Sequence, residues 1–196
     1  RPFIGGMTFT LSDSRAPKLE NITSDKSGIC DVTNNVAIAG DTLKYYLELS
    51  EKVSVDSYGT AKLGLGGTAT SITGNGSLIT ENGKSKICYT FKLTELGKSG
   101  ALSLYSVSGL SVKDEAGNAF TYNKSDISSD TVQYYKQMYV ASRLTNLTTN
   151  GKTAAFYGTD YTATLVPNAG YDLPQSVKVN VSGRAMDSAG YTYNKT

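Results

Sequence analysis

Apolar and polar side chains alternate with a period of two in several short stretches of this chain. Leu43, Tyr45, Leu47 and Leu49 alternate with Lys44, Tyr46, Glu48 and Ser50. Ile87, Tyr89, Phe91 and Leu93 alternate with Lys86, Cys88, Thr90 and Lys92. This pattern predicts half-buried strands. Further strands are expected at Met7–Leu11, Leu19–Ser24, Ala61–Leu65, Leu102–Val112 and Thr131–Val140. Later, Tyr161, Ala163 and Leu165 form an alternating set, as do Val177, Val179 and Val181. Between the stretches lie turn sequences: Gly66-Gly67, Gly74-Asn75-Gly76, Glu81-Asn82-Gly83-Lys84 and Asp114-Glu115-Ala116-Gly117-Asn118. The third suits a hairpin, and glycine in the last supplies a backbone angle other residues resist. No helical period runs over a long window, so the chain reads as all-β.

Two segments open alike. Residues 16–25 (APKLENITSD) lead to Gly40-Asp41-Thr42-Leu43, and residues 140–150 (VASRLTNLTTN) lead to Gly158-Thr159-Asp160-Tyr161. Three parts are expected: 1–15, the tail of a preceding module and a linker; 16–139, one full module; 140–196, a second, truncated one. Pro17 holds Ala16 in an extended shape at the first joint. A truncated sheet leaves an unpaired edge. The stretch Val177–Ser182 is therefore expected to fray, to pair with a neighbouring molecule, or to lie under the Tyr-rich segment that follows.

Composition narrows the function. Histidine is absent, which removes the commonest general base and the commonest metal ligand. Tryptophan is absent as well, and with it the strongest stacking residue for sugars. No nucleophile–base constellation is visible, and the chain is expected not to be an enzyme. Its 19 basic residues are scattered and the net charge is only +2, which argues against nucleic acid. No apolar stretch approaches the roughly 20 residues of a membrane helix. Targeting signals are expected elsewhere in a longer parent.

Two cysteines, Cys30 and Cys88, could close a loop of about 58 residues, worth roughly 4 kcal/mol in the chain-entropy model. In the alternation Cys88 falls with Lys86, Thr90 and Lys92 and is expected to point outward. A bridge from it would be a surface pin, and two free thiols are the alternative.

The order of several motifs resembles that of bacterial immunoglobulin-like repeats. These are the opening APKLENITSD, then Ala39-Gly40-Asp41-Thr42, Leu49-Ser50-Glu51-Lys52-Val53 and Val112-Lys113-Asp114-Glu115-Ala116-Gly117-Asn118-Ala119. The resemblance covers about residues 16–125. The stretch from Tyr157 to Leu165, with Asn168 to Pro174, is similar to another repeat of secreted bacterial proteins. The two cysteines depart from the pattern. The resemblance implies tandem immunoglobulin-like β-sandwich modules in a large cell-surface or secreted adhesin-like protein. It implies a non-catalytic structural or adhesive role, with neighbouring modules and possible glycan or host-matrix ligands as partners. The alternative is a carbohydrate-binding or accessory module of a secreted polysaccharide-active enzyme.

Candidate sites are few. No cofactor is expected, apart from a calcium candidate at Asp114 and Asn118, whose oxygens share one turn. In calcium-rigidified arrays of the resembled kind such a turn sits at a module junction, where Asp13 or Asp25 would add ligands. The same turn could equally be held by local Asp and Asn hydrogen bonds. Tyr135 and Tyr139 fall on the wetter face with Gln133 and Gln137 and could form a ligand surface, or pack in a joint between modules. Six Asn-x-Ser/Thr sequences, starting at Asn21, Asn75, Asn123, Asn146, Asn180 and Asn194, are expected to be silent in a bacterial protein. Nothing in the spacing singles out a Lys–Asn cross-link at Lys44 and Glu48.

Overall fold

A computed structural model describes residues 9–26, 37–156, 158–181 and 184–195. It is all-β, with one 3₁₀ turn at Ser188–Gly190 among the described residues. The chain divides into two compact units, Arg1–Gln137 and Met138–Thr196.

The first unit is built on one antiparallel sheet of seven strands. In chain order these are β1 (Leu19–Ser24), β2 (Thr42–Leu49), β4 (Thr60–Leu65), β5 (Thr68–Glu81), β6 (Lys84–Lys92), β7 (Gly100–Ser108) and β9 (Val132–Tyr134). A separate pair joins β3 (Ser54–Ser57) to β8 (Ser111–Lys113). The spatial order of the sheet is β1-β2-β6-β5-β4-β7-β9. Its two edges nearly meet. Ile22 of β1 forms a parallel bridge with Ser129, just before β9, and Asp130 N donates to Ile22 O at 3.1 Å. Ser24 N donates to Asp130 Oδ2 at 3.1 Å. Beyond this point Ala37 bridges Tyr134. A single sheet curled almost into a barrel thus stands where two separate sandwich layers were expected, and edge groups that would face water are largely paired.

Period-two alternation builds the core. Leu43, Tyr45, Leu47 and Leu49 of β2 and Ile87, Tyr89 and Phe91 of β6 are all buried, with Leu63 of β4 and Leu102 and Leu104 of β7 opposite them. The β2–β6 register sets Tyr45 opposite Tyr89 and Leu43 opposite Phe91. Tyr45 and Phe91 meet edge to face at 6.3 Å.

Three local expectations are corrected. Gly74-Asn75-Gly76 is not a turn but the middle of the 14-residue strand β5. The two glycines leave room for large neighbours: a Cβ on Gly74 would lie 2.8 Å from Phe91 Cε1, and one on Gly76 would run into the Tyr58 side chain. Cys88 does share the outer face with Lys86 and Thr90, yet it is only 3% exposed. It stands in a central strand between Tyr46 and Ser77, whose side chains flank it. The expected strand at Met7–Leu11 lies partly outside the described residues, and Phe9–Leu11 carry no secondary structure, with Phe9 and Leu11 exposed.

The second unit is sparse. Its ladders are β10 (Gln137–Tyr139) with β12 (Ala154–Phe156), β11 (Leu147–Thr149) with β13 (Leu165–Pro167), and β14 (Asn180–Val181) with β15 (Arg184–Ala185). None of its described residues is fully buried. The expected alternating strands shrink to Leu165–Pro167 and Asn180–Val181. Tyrosine hydroxyls replace part of the ladder: Tyr191 donates to Val177 O at 3.1 Å and Tyr193 to Pro174 O at 2.9 Å. Of the three outcomes expected for the Val177–Ser182 edge, the Tyr191 contact at Val177 matches cover by the Tyr-rich segment.

Candidate functional site

Three segments that are distant in sequence converge at one end of the first unit. The first is the turn after β8. Lys113 bridges Ala119 across it, Asp114 N donates to Asn118 O, and Gly117 takes φ +91°, an angle that costs a side-chain-bearing residue. Asp114 is only 4% exposed. Its Oδ1 accepts from Asn118 N and its Oδ2 from Asn118 Nδ2, each at 2.8 Å. The second segment follows β2. Buried Ser85 donates its N–H to Glu51 O at 3.1 Å and accepts from Val53 N through its Oγ at 3.0 Å, which fixes the chain at Glu51. The third is the linker, where Asp13 Oδ1 accepts from Arg15 N at 2.9 Å and Asp13 O accepts from Asn118 Nδ2 at 3.1 Å.

The outcome is a group of three carboxylates. Ligand oxygens of Asp13, Glu51 and Asp114 all lie within 4.8 Å of one another. The two nearest lysines on these segments point to other partners: Lys52 pairs with Glu115 at 3.0 Å and Lys113 with Asp56 at 3.3 Å. Electrostatics splits the group. Hydrogen bonds from the Asn118 side chain, and then from backbone N–H groups of the turn, hold the Asp114 carboxyl below the usual carboxylate range, against desolvation. Desolvation first, and then the charges of Asp114 and Asp13, push Glu51 above it.

The donor set suits a hard cation. Two oxygens on opposite sides of a calcium ion at ~2.4 Å stand ~4.8 Å apart, and each carboxylate keeps acceptor capacity beyond its present bonds. The turn also holds itself together without any ion, through the local Asp–Asn bonds that were the alternative. The structure brings Asp114 and Asn118 together with Asp13. Asp25 is elsewhere, accepting from Lys44 N at 2.9 Å. Sequence alone does not add Glu51 to the group, because nothing in Ser50-Glu51-Lys52 sets it apart from a surface charge.

The remaining candidates are dispersed. Tyr134 is buried and its hydroxyl accepts from Leu96 N at 3.0 Å. Tyr135 is half-buried in the first unit, whereas Tyr139 belongs to the second and is 81% exposed. The strand expected to carry both is broken at Tyr135-Lys136. Cys88 Sγ lies 4.0 Å from Thr90 Oγ1. Its proposed partner Cys30 lies outside the described residues. Compared with protein-family models, curated proteins and solved structures, the chain gives no significant match.

Proposed function

We propose that this chain is a non-catalytic structural or adhesive segment of a bacterial cell-surface or secreted multi-domain protein, built from modules of immunoglobulin-like type. One observation carries the reading: the first unit spends its interior wholly on packing. Its near-closed sheet encloses an apolar core in which Ser85 and Asp114 are the only buried polar or charged residues among those described, and both are hydrogen-bonded to loops. A sheet closed by pairing along both edges resists extension, because separating its ends requires many ladder bonds to break together.

Force spectroscopy on a tandem polyprotein of this chain tests the role. The first unit is expected to unfold in one cooperative high-force event. Gradual lengthening at low force would remove the load-bearing reading. Turnover of an ester, glycoside or peptide substrate by the purified chain would remove the non-catalytic one.

A further inference from the structure

The outer face of the sheet, opposite the core, carries a groove that the foregoing reading does not use. It crosses β2, β5 and β6 and is lined by Thr42, Ser71, Thr73, Asn75, Thr90 and Lys92. Strand register explains the lining. Thr42 stands opposite Lys92, and Asn75 and Lys44 stand on either side of Thr90. Lys62 of β4 stands opposite Thr73 and extends the same face. Because side chains alternate across a strand, these residues all project away from the core, where Leu43, Leu63 and Phe91 point.

Charge is uneven on this face. Toward the far ends of β2 and β6, Lys86 is paired with Glu48 at 3.3 Å, and Lys84 with Glu20 at 2.8 Å. Around the groove no ion pair is formed by Lys44, Lys62 or Lys92 with the described residues. No Asp or Glu occupies the register rows that hold them. Asp25, on the flank toward β1, is engaged by Lys44 N. Lys62 and Lys92 lie two strands apart, ~10 Å, close enough to act together on successive charges of one polymer. Between them stand hydroxyl and amide groups that can both donate and accept, and no broad aromatic platform.

We propose that this groove binds an acidic polysaccharide: Lys62 and Lys92 meet its carboxylate or sulfate groups, and Thr73, Asn75 and Thr90 bond its hydroxyls. The inference rests on the non-catalytic reading above and adds a ligand class and a site to it.

The test is affinity electrophoresis of the full chain through gels containing polygalacturonate, dextran sulfate or neutral dextran, with a single-stranded oligonucleotide as a competitor of matched charge. Retardation is expected in at least one acidic gel and not in dextran; which gel retards tells carboxylate from sulfate. The Lys62→Gln/Lys92→Gln double variant is expected to weaken binding at least tenfold. Thr73→Val, which keeps the charge and suits a strand, is expected to weaken it severalfold. Lys178→Gln, in the second unit, should leave it unchanged. Melting curves of the variants show that each is folded. The proposal is overturned if neither acidic polymer retards the chain, if the oligonucleotide competes as well as the polysaccharide, or if the folded groove variants bind as the parent does. Release of reducing ends during the run would instead sink the non-catalytic reading and leave the binding site standing.

Discussion

The Tyr45 hydroxyl donates to the backbone carbonyl of Asp130 at 2.8 Å, joining the middle of β2 to the segment that closes the sheet. Leu102 O lies at 3.2 Å from the same oxygen. Tyr45 is fully buried, so water cannot replace these contacts. Removing the hydroxyl in Tyr45→Phe keeps the ring against Phe91 and takes one of two donors from the Asp130 carbonyl, which still accepts from the Ser129 hydroxyl at 2.9 Å. The expected cost is about 0.5–1.5 kcal/mol, the net value of one hydrogen bond, read as a lower urea midpoint at unchanged slope. Tyr139→Phe, at an exposed position, is the control and should fall within about 0.5 kcal/mol of the parent. Equal midpoints for the two variants would show that the closure does not depend on this bond.

Gly74 is the second place where the sheet depends on one atom. A methyl group there meets the edge of the Phe91 ring at 2.8–3.1 Å, inside contact distance. Phe91 is fully buried, so its ring can yield only by displacing packed neighbours. Gly74→Ala is therefore expected to lower stability by about 1–3 kcal/mol, although alanine is otherwise the better residue in regular structure. Pairing it with Phe91→Leu should recover part of the loss, measured as a non-additive double-mutant cycle. Strict additivity would mean that the ring is not what the missing Cβ accommodates.

The two glycines of β5 also show where sequence reading stops. Strands β2 and β6 were legible because their alternation is unbroken and both pack on one core. Gly74-Asn75-Gly76 reads as a turn by every local rule, and only the partners Phe91 and Tyr58, 17 and 18 positions away from Gly74 and Gly76 respectively, turn it into a strand. Cys88 reads as exposed because alternation reports a face, not what covers that face. The acidic group was legible in part: Asp114 and Asn118 announced a turn, and Asp13 was foreseen as a contributor. Glu51 arrives through Ser85, a contact no linear pattern encodes.

Charge in that group sets a pH dependence with two opposite signs. Glu51 is shifted upward from its ordinary 4.5, so its favourable contribution is complete below that value and is lost as pH rises through the shifted one. Asp114 is shifted downward from 3.8, so its contribution is present above 3.8 and is lost as pH falls through the shifted value. Glu51→Gln is thus expected to raise the melting temperature at pH 7 and to match the parent at pH values well below 4.5. Asp114→Asn should lower it at pH 7. A hard cation entering the group would remove the repulsion, so millimolar calcium would lift the parent and not Glu51→Gln. Melting curves unmoved by calcium or a chelator leave the group as a source of pH dependence alone. Identical pH profiles for the parent and Glu51→Gln would contradict the assigned shift.

The second unit should be the less stable of the two, for a reason visible in its hydrogen bonds. Its described ladders are two or three residues long, and none of its described side chains is fully buried. Little apolar area is therefore available to offset the entropy of ordering the chain. Two tyrosine hydroxyls, of Tyr191 and Tyr193, tie the final segment to the carbonyls of Val177 and Pro174. Each bond is partly exposed, so its net value is about 1 kcal/mol, or about fivefold in local opening. Hydrogen exchange followed by mass spectrometry should show rapid exchange across residues 165–181 while β2 and β6 exchange only through global unfolding. Tyr191→Phe and Tyr193→Phe should each accelerate exchange across residues 174–181 by about fivefold and together by about 25-fold, with β2 and β6 unchanged. If 177–181 are as protected as β6 in the isolated chain, the short ladders are not what limits this unit, and the covering role of the two hydroxyls fails with it.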